Sequence, residues 1–162
     1  MKKSIYLIFA ISIFIISNNA FSSDIYISPD APKDTPSYMS EEEIKLLMPY
    51  IKKAKNTYTH AKKRFLTGLP NRHTFFVTTR IMQKQGINEV IEQVFVAVSY
   101  ISDGKVTGRI WNDNLRITNY RKGDYYTFPE KDIIDWLITK PDGTEEGNYV
   151  GKFLDEYWKN KK

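Results

Sequence analysis

The sequence predicts an α+β fold: an N-terminal amphipathic helix packed on an antiparallel sheet of about four to five strands, closed by a short C-terminal helix. Three observations predict it. A helical stripe of apolar residues follows residue 40. Segments rich in β-formers, joined by tight-turn signals, fill residues 73–128. A second helical pattern ends the chain.

The elements follow in order. Met1 to Ser4 is a short basic stretch, and Ile5 to Ile16 is a twelve-residue apolar segment interrupted only by Ser12. Ser17 to Ser22 is polar, with Ala20 and Ser22 placed as a small-x-small cleavage site. This is the pattern of a secretory signal peptide over residues 1–22, cleaved after Ser22 or, as second choice, after Ala20. The run is too short for a membrane span, which takes about 20 residues. A lipoprotein anchor is excluded, because the chain has no cysteine. The expected location is the periplasm or beyond, with no transmembrane segment in the mature form. Residues 23–39 carry three prolines and little periodicity, and read as a flexible arm. Residues 40–162 form one domain.

Ser40 to Glu43 is a capping-box signature at a helix start. Pro49 either kinks this helix or begins a new one. Ile51, Ala54, Tyr58, Ala61 and Phe65 form one helical stripe, and Gly68 followed by Pro70 supplies a stop. His73 to Lys84 reads as a strand, residues 85–88 as a turn, and Glu89 to Ser102 as a second strand. Val90, Val94, Val96, Val98 and Tyr100 share one parity of that strand. Asp103-Gly104 is a hairpin turn, and Lys105 to Trp111 a third strand. Asn112 to Asn114 is a loop, Tyr125 to Phe128 a short strand, and Glu130 to Leu137 a helical turn or a bend. Pro141 to Gly143 is a turn, and Tyr149 to Trp158 the closing helix.

Composition bounds the chemistry. With 41% hydrophobic and 27% charged residues, the chain is an ordinary globular one. The lack of cysteine excludes disulfides, thiolate catalysis, iron–sulfur clusters and Cys-based zinc sites. His60 and His73 are the only histidines, and neither sits in a motif. No nucleophile elbow, phosphate loop or complete calcium loop is present. Asp132/Asp135 and Glu145/Glu146 are paired carboxylates that read as caps or solvation rather than a glycosidase pair. No catalytic residue, metal site or cofactor is expected.

Charge is uneven. Residues 24–43 hold six acids and one lysine, residues 44–88 hold ten Lys/Arg and no acid, and residues 89–162 hold eleven basic and thirteen acidic residues. The middle block suits an anionic partner, with Lys52, Lys53, Lys55, Lys62, Lys63 and Arg64 as its candidate contacts. The alternative is internal screening of that block by the acidic arm and the second half of the chain. Aromatic residues crowd the second half and fit either a binding face or a core of large side chains. Nucleic acid is not expected, because the chain is exported and the basic and aromatic residues do not interleave.

The second half also carries an ordered set of short motifs. These are Glu92-x-x-Phe95-Val96, Gly108-x-Ile110-x-Asn112-Asp113, Gly123-Asp124, Phe128, Ile134-Asp135-Trp136 and Gly147-Asn148-Tyr149. Together with the helix Tyr50 to Phe65 they resemble the YegJ-like domain-of-unknown-function family over about residues 45–158. Asn114 departs from that pattern, where the family tends to have Pro, and the tail past Leu154 is longer and aromatic. The resemblance implies no catalytic residues. In physical terms the shared residues read as architecture. Gly108 and Gly123 serve close backbone approach or positive φ, Asp124 and Asp135 cap turns, and Trp136 plugs the core. Asn112 and Asp113, on a loop held by a sheet, are the polar candidates for a binding site.

These readings point to a non-enzymatic periplasmic binding or interaction module. Its partner is an unknown protein or an anionic envelope component, and one version of the task is neutralising an exported toxin. The rival is an enzyme acting on envelope material through Asp113, Asp135 or His73 in a cleft.

Overall fold

The computed structural model describes residues 41–113 and 115–161. The expected signal sequence, arm and Ser40 cap lie outside the described residues. The elements are α1 (Glu41–Thr67), β1 (Thr74–Gln85), β2 (Asn88–Ser102), β3 (Lys105–Ile110), β4 (Tyr125–Pro129), β5 (Asp135–Thr139), β6 (Glu145–Gly147) and α2 (Tyr149–Asn160), with one 3-10 turn at Glu130–Asp132. The sheet has six strands in the order β4-β3-β2-β1-β5-β6, every pair antiparallel. The expected four to five strands are therefore six.

The helix α1 runs through Pro49 and spans 27 residues, about 40 Å. Pro49 therefore starts no separate helix. Ala54 and Ala61 are fully buried, and Tyr58 and Phe65 pack with them against the sheet, whereas Ile51 joins the cluster of Leu47, Val150 and Leu154 against α2. Two alanines at the contact let the helix approach closely, and Phe75, Val77 and Trp136 fill the gap from below. Gly68 ends the helix with φ +97°.

Strands β1 to β4 form a meander. Asp103 and Gly104 both have positive φ, the geometry of a tight hairpin turn. The pairing register shifts between Val98 and Tyr100, a bulge that breaks the parity of β2. Val94 and Val96 stay buried under α1, whereas Tyr100 becomes 55% exposed and Ile101 takes the inward place. Tyr100 therefore does not join the valine row.

The chain then returns across the helix-facing side to β5. Ile133 is buried on this path, the Thr79 hydroxyl donates to the Asp132 carbonyl, and the Ile134 amide donates to the Thr78 carbonyl. The stretch Glu130 to Leu137 is thus one 3-10 turn followed by a strand, not a simple bend. All five residues of β5 are buried. Helix α2 packs on the N-terminal half of α1 through Leu47, Val150 and Leu154. The far side of the sheet carries Phe76, Phe95, Ala97 and Leu137, with Trp111 set edge-on to Phe76.

Candidate functional site

The basic block is the first candidate surface, and helical geometry divides it. At about 100° per residue, Lys52 and Lys63 fall on the outer ridge of α1, Lys55 and Lys62 on one flank, and Lys53 and Arg64 on the other. The flanking residues are engaged by the rest of the fold. Lys62 Nζ donates to both oxygens of Glu130, at 2.7 and 2.8 Å, and the Tyr58 hydroxyl donates to the same carboxylate at 3.0 Å. Burial and Glu130 together raise the Tyr58 pKa. On the other flank Arg64 pairs with Glu146, which Lys140 also reaches at 3.2 Å. These cations hold the Glu146 carboxyl down at about 2. Lys53 Nζ lies 4.7 Å from the Tyr149 ring centre, and Lys55 Nζ donates to the Lys131 carbonyl at 3.4 Å. The six residues therefore do not form one free face, because four of them contact the 3-10 turn, β6 and α2.

Lys52 and Lys63 remain exposed, and neither pairs with an acid among the described residues. Lys45 is exposed as well and falls in line with them, within about 20° around the helix axis. The sequence reading passed over Lys45 as a site residue, although its spacing of seven from Lys52 places both on one face.

The Asn112–Asp113 pair separates in space. Asn112 is 5% exposed; its Oδ1 accepts from the Phe95 amide at 2.7 Å and its Nδ2 donates to the Gln93 carbonyl. It ties the end of β3 to β2. Asp113 is exposed and pairs with Lys122 at 2.6 Å, and Lys122 also sits 5.0 Å from the Trp111 ring centre. Nearby, a Cβ on Gly108 would collide with the Ala97 carbonyl, so only glycine fits beside the bulge. Gly123 has φ +90°, and Asp124 Oδ2 accepts from the Arg121 amide across the turn.

Asp135 caps a helix rather than a turn. Its residue is 2% exposed; Oδ1 accepts from the Trp136 amide and Oδ2 from the Val150 amide at 2.7 Å, with the Tyr149 and Gly151 amides also contributing. Asn148, the residue in N-cap position, has φ 54° and makes no capping bond, so Asp135 supplies the acceptor that α2 lacks. Burial pushes the Asp135 carboxyl up to about 6, against the pull of the four amides. Trp136 lies under α1, its indole N–H shared between the Ala54 carbonyl and the Thr57 hydroxyl.

The three residues weighed for catalysis do not meet. His73 precedes Thr74, which pairs with Thr139, while Asp135 pairs with Thr78, four residues and about 13 Å along the strands. Asp113 lies beyond β3 on the surface. The His73 ring contacts the Asn71 carbonyl, and His60 is exposed on α1. Among the described residues no three His, Asp or Glu side chains cluster as a metal site requires, and no helix is long and apolar enough to cross a membrane.

Residues 46–162 match the model of a family of uncharacterised proteins conserved in bacteria (DUF2314). The chain belongs to that family. The match begins inside α1 and takes in the whole sheet and α2, so the family unit is the domain described above. No curated protein and no solved structure matches the chain.

Proposed function

We propose that this family member is an exported, non-enzymatic binding module, YegJ-like in type, that holds an anionic component of the bacterial envelope. The observation that carries the reading is the outer ridge of α1. Lys45, Lys52 and Lys63 stand exposed in one line, while on the flanks Lys62 is held by Glu130 and Arg64 by Glu146 of the same domain. A helix fixed by clamps on both flanks presents its ridge as a rigid cationic edge, which lowers the ordering cost of binding. Export rests on the basic, apolar and small-x-small order of residues 1–22. An acidic partner protein, such as an exported toxin, would meet the same ridge.

The experiment is a pull-down from envelope extract by the purified chain and by its Lys45→Gln/Lys52→Gln/Lys63→Gln variant, with bound lipid and protein identified by mass spectrometry. The reading expects an anionic component enriched by the parent chain and lost from the variant. Equal recovery by both overturns it. N-terminal sequencing of the exported chain should begin at Ser23, or at Phe21 for the alternative cleavage site. An intact Met1 on the isolated protein refutes export.

A further inference from the structure

The sheet has two faces, and α1 lies on one of them. Val77, Val96 and Trp136 pack on the α1 side, and the residues that alternate with them point the other way. On that second face Phe76 stands directly between Ala97 of β2 and Leu137 of β5, a row three strands wide. Thr78 and Thr139 lie beside the row, each two residues along its strand from Phe76 or Leu137. All five are at most 2% exposed. The described residues do not supply that cover. α1 belongs to the first face, and α2 packs on α1 through a separate cluster. Trp111 is the one apolar side chain among the described residues that packs on the row, edge-on to Phe76 at 5.7 Å. It arrives from the end of β3, and Leu137 lies on the opposite side of Phe76, with Gly147 of β6 as its other neighbour. An indole on one side and a glycine on the other leave the top of Leu137 open, yet Leu137 is 0% exposed.

We propose that residues 23–39 cross this face as a strap, with Ile25 and Ile27 seated over Leu137 and Phe76. Chain length allows it. Ala54 lies over Trp136, and Glu41 stands thirteen residues, about 20 Å, farther along α1. The fourteen residues from Glu41 back to Ile27 reach about 45 Å when extended, enough to return that distance and round the end of the sheet. The pattern fits as well. Ile25 and Ile27 flank Tyr26, so an extended chain puts both on one side. Pro29, Pro32 and Pro36 lack the amide that a ladder needs, so the segment suits lying over a sheet face rather than adding a strand to its edge. Charge agrees: Asp24, Asp30 and Asp34 meet a face whose margins carry Arg80 and Arg109, both exposed. Residues 1–22 are the chain's other apolar candidate, but the export reading removes them, and the proposal rests on that reading to this extent. The strap holds the acids of the arm on the side away from Lys45, Lys52 and Lys63, so the ridge of α1 stays open.

The test uses the exported chain, with its N-terminus determined by mass spectrometry. Ser28→Cys introduces a single cysteine beside Ile27. A nitroxide on it should broaden the amide signals of Phe76, Leu137 and Thr139 at least fivefold more than those of Lys52 and Lys63. Adding Ile25→Ser and Ile27→Ser should abolish that selectivity. The unlabelled Ile25→Ser/Ile27→Ser chain should bind at least three times as much anilinonaphthalene sulfonate as the parent. Broadening centred on Lys52 and Lys63 overturns the strap and assigns the arm to the basic helix. Uniform broadening, or unchanged dye binding, overturns it as well. Broadening of unlabelled copies mixed with labelled ones assigns the face to a second chain and likewise overturns the strap. An N-terminus at Met1 refutes export, whereas the label reports the position of residue 28 in either form, so the two failures are told apart.

Discussion

Asp135 offers a stability measurement whose sign is fixed by its surroundings. The carboxyl is buried, and burial lifts its pKa from 3.8 to about 6 in the folded chain. The folded state thus holds the proton more tightly than the unfolded state does, so stability from this group rises as pH falls from about 6 toward 4. Two pH units at about 1.4 kcal/mol each give a gain of about 3 kcal/mol for the parent over that window. Asp135→Asn removes the titration. At neutral pH the substitution leaves backbone donors of α2 facing an amide NH2, and a buried donor without an acceptor costs about 1–3 kcal/mol. The difference between parent and Asp135→Asn, measured by urea melts every half unit from pH 7 to 4, should therefore widen on acidification. Glu146 does not confuse the comparison: the stability from its lowered pKa is lost progressively below about 4.5 in parent and variant alike and cancels in their difference. A difference that narrows between pH 6 and 4 would show that the four amides and the helix end outweigh burial, and the reasoning would fail.

Three further substitutions probe the packing. Trp136→Ala should cost about 3–5 kcal/mol in urea melts, because the ring is 4% exposed and its N–H is bonded to α1; a loss under about 1 kcal/mol would contradict its place in the core. Gly108→Ala should cost about 1–3 kcal/mol, since the new methyl meets the Ala97 carbonyl, and exchange protection of the β2–β3 amides should fall with it; an unchanged melt would mean that the strands part freely there. Trp158→Phe should cost less than about 1 kcal/mol, because the buried indole N–H has no hydrogen-bond partner among the described residues to lose; a larger loss in thermal melts would contradict this.

How much was legible depended on how far each segment obeyed a period. The apolar stripe of α1, the hairpins at Gly86 and at Asp103-Gly104, and the amphipathic α2 all follow local rules, and they stand close to the expected boundaries. β5 lies in the stretch Glu130 to Leu137, whose sequence reads as a helical turn or a bend, and the helical turn covers only Glu130–Asp132. β5 is buried on every residue, so Asp135 to Thr139 shows no alternation, and at five residues it is too short to separate from a helical turn. β6 has only Glu145 to Gly147 and no apolar residue to mark it. The β2 bulge redirected Tyr100, because one extra residue reverses every later side chain. Asn112 looked like an exposed loop residue and is a buried tie, which nothing in its neighbours signals. The partition of the basic helix was within reach, since the spacing of Lys62 and Arg64 already places them on opposite flanks. What spacing alone lacked was the position of Glu130 and Glu146, nearly 70 and more than 80 residues away.

The ridge of α1 is where the account is most exposed to test. Each lysine near an anionic surface contributes about 1 kcal/mol, so three act together over about two orders of magnitude in affinity at most. Co-sedimentation of the purified chain with phosphatidylglycerol vesicles, at low and at physiological salt, compares the parent with Lys45→Gln/Lys52→Gln/Lys63→Gln. The account expects binding at low salt that weakens as salt rises, and a loss of at least tenfold in the variant. No binding at low salt, or equal binding by both proteins, would contradict it and leave the ridge as a solvated face.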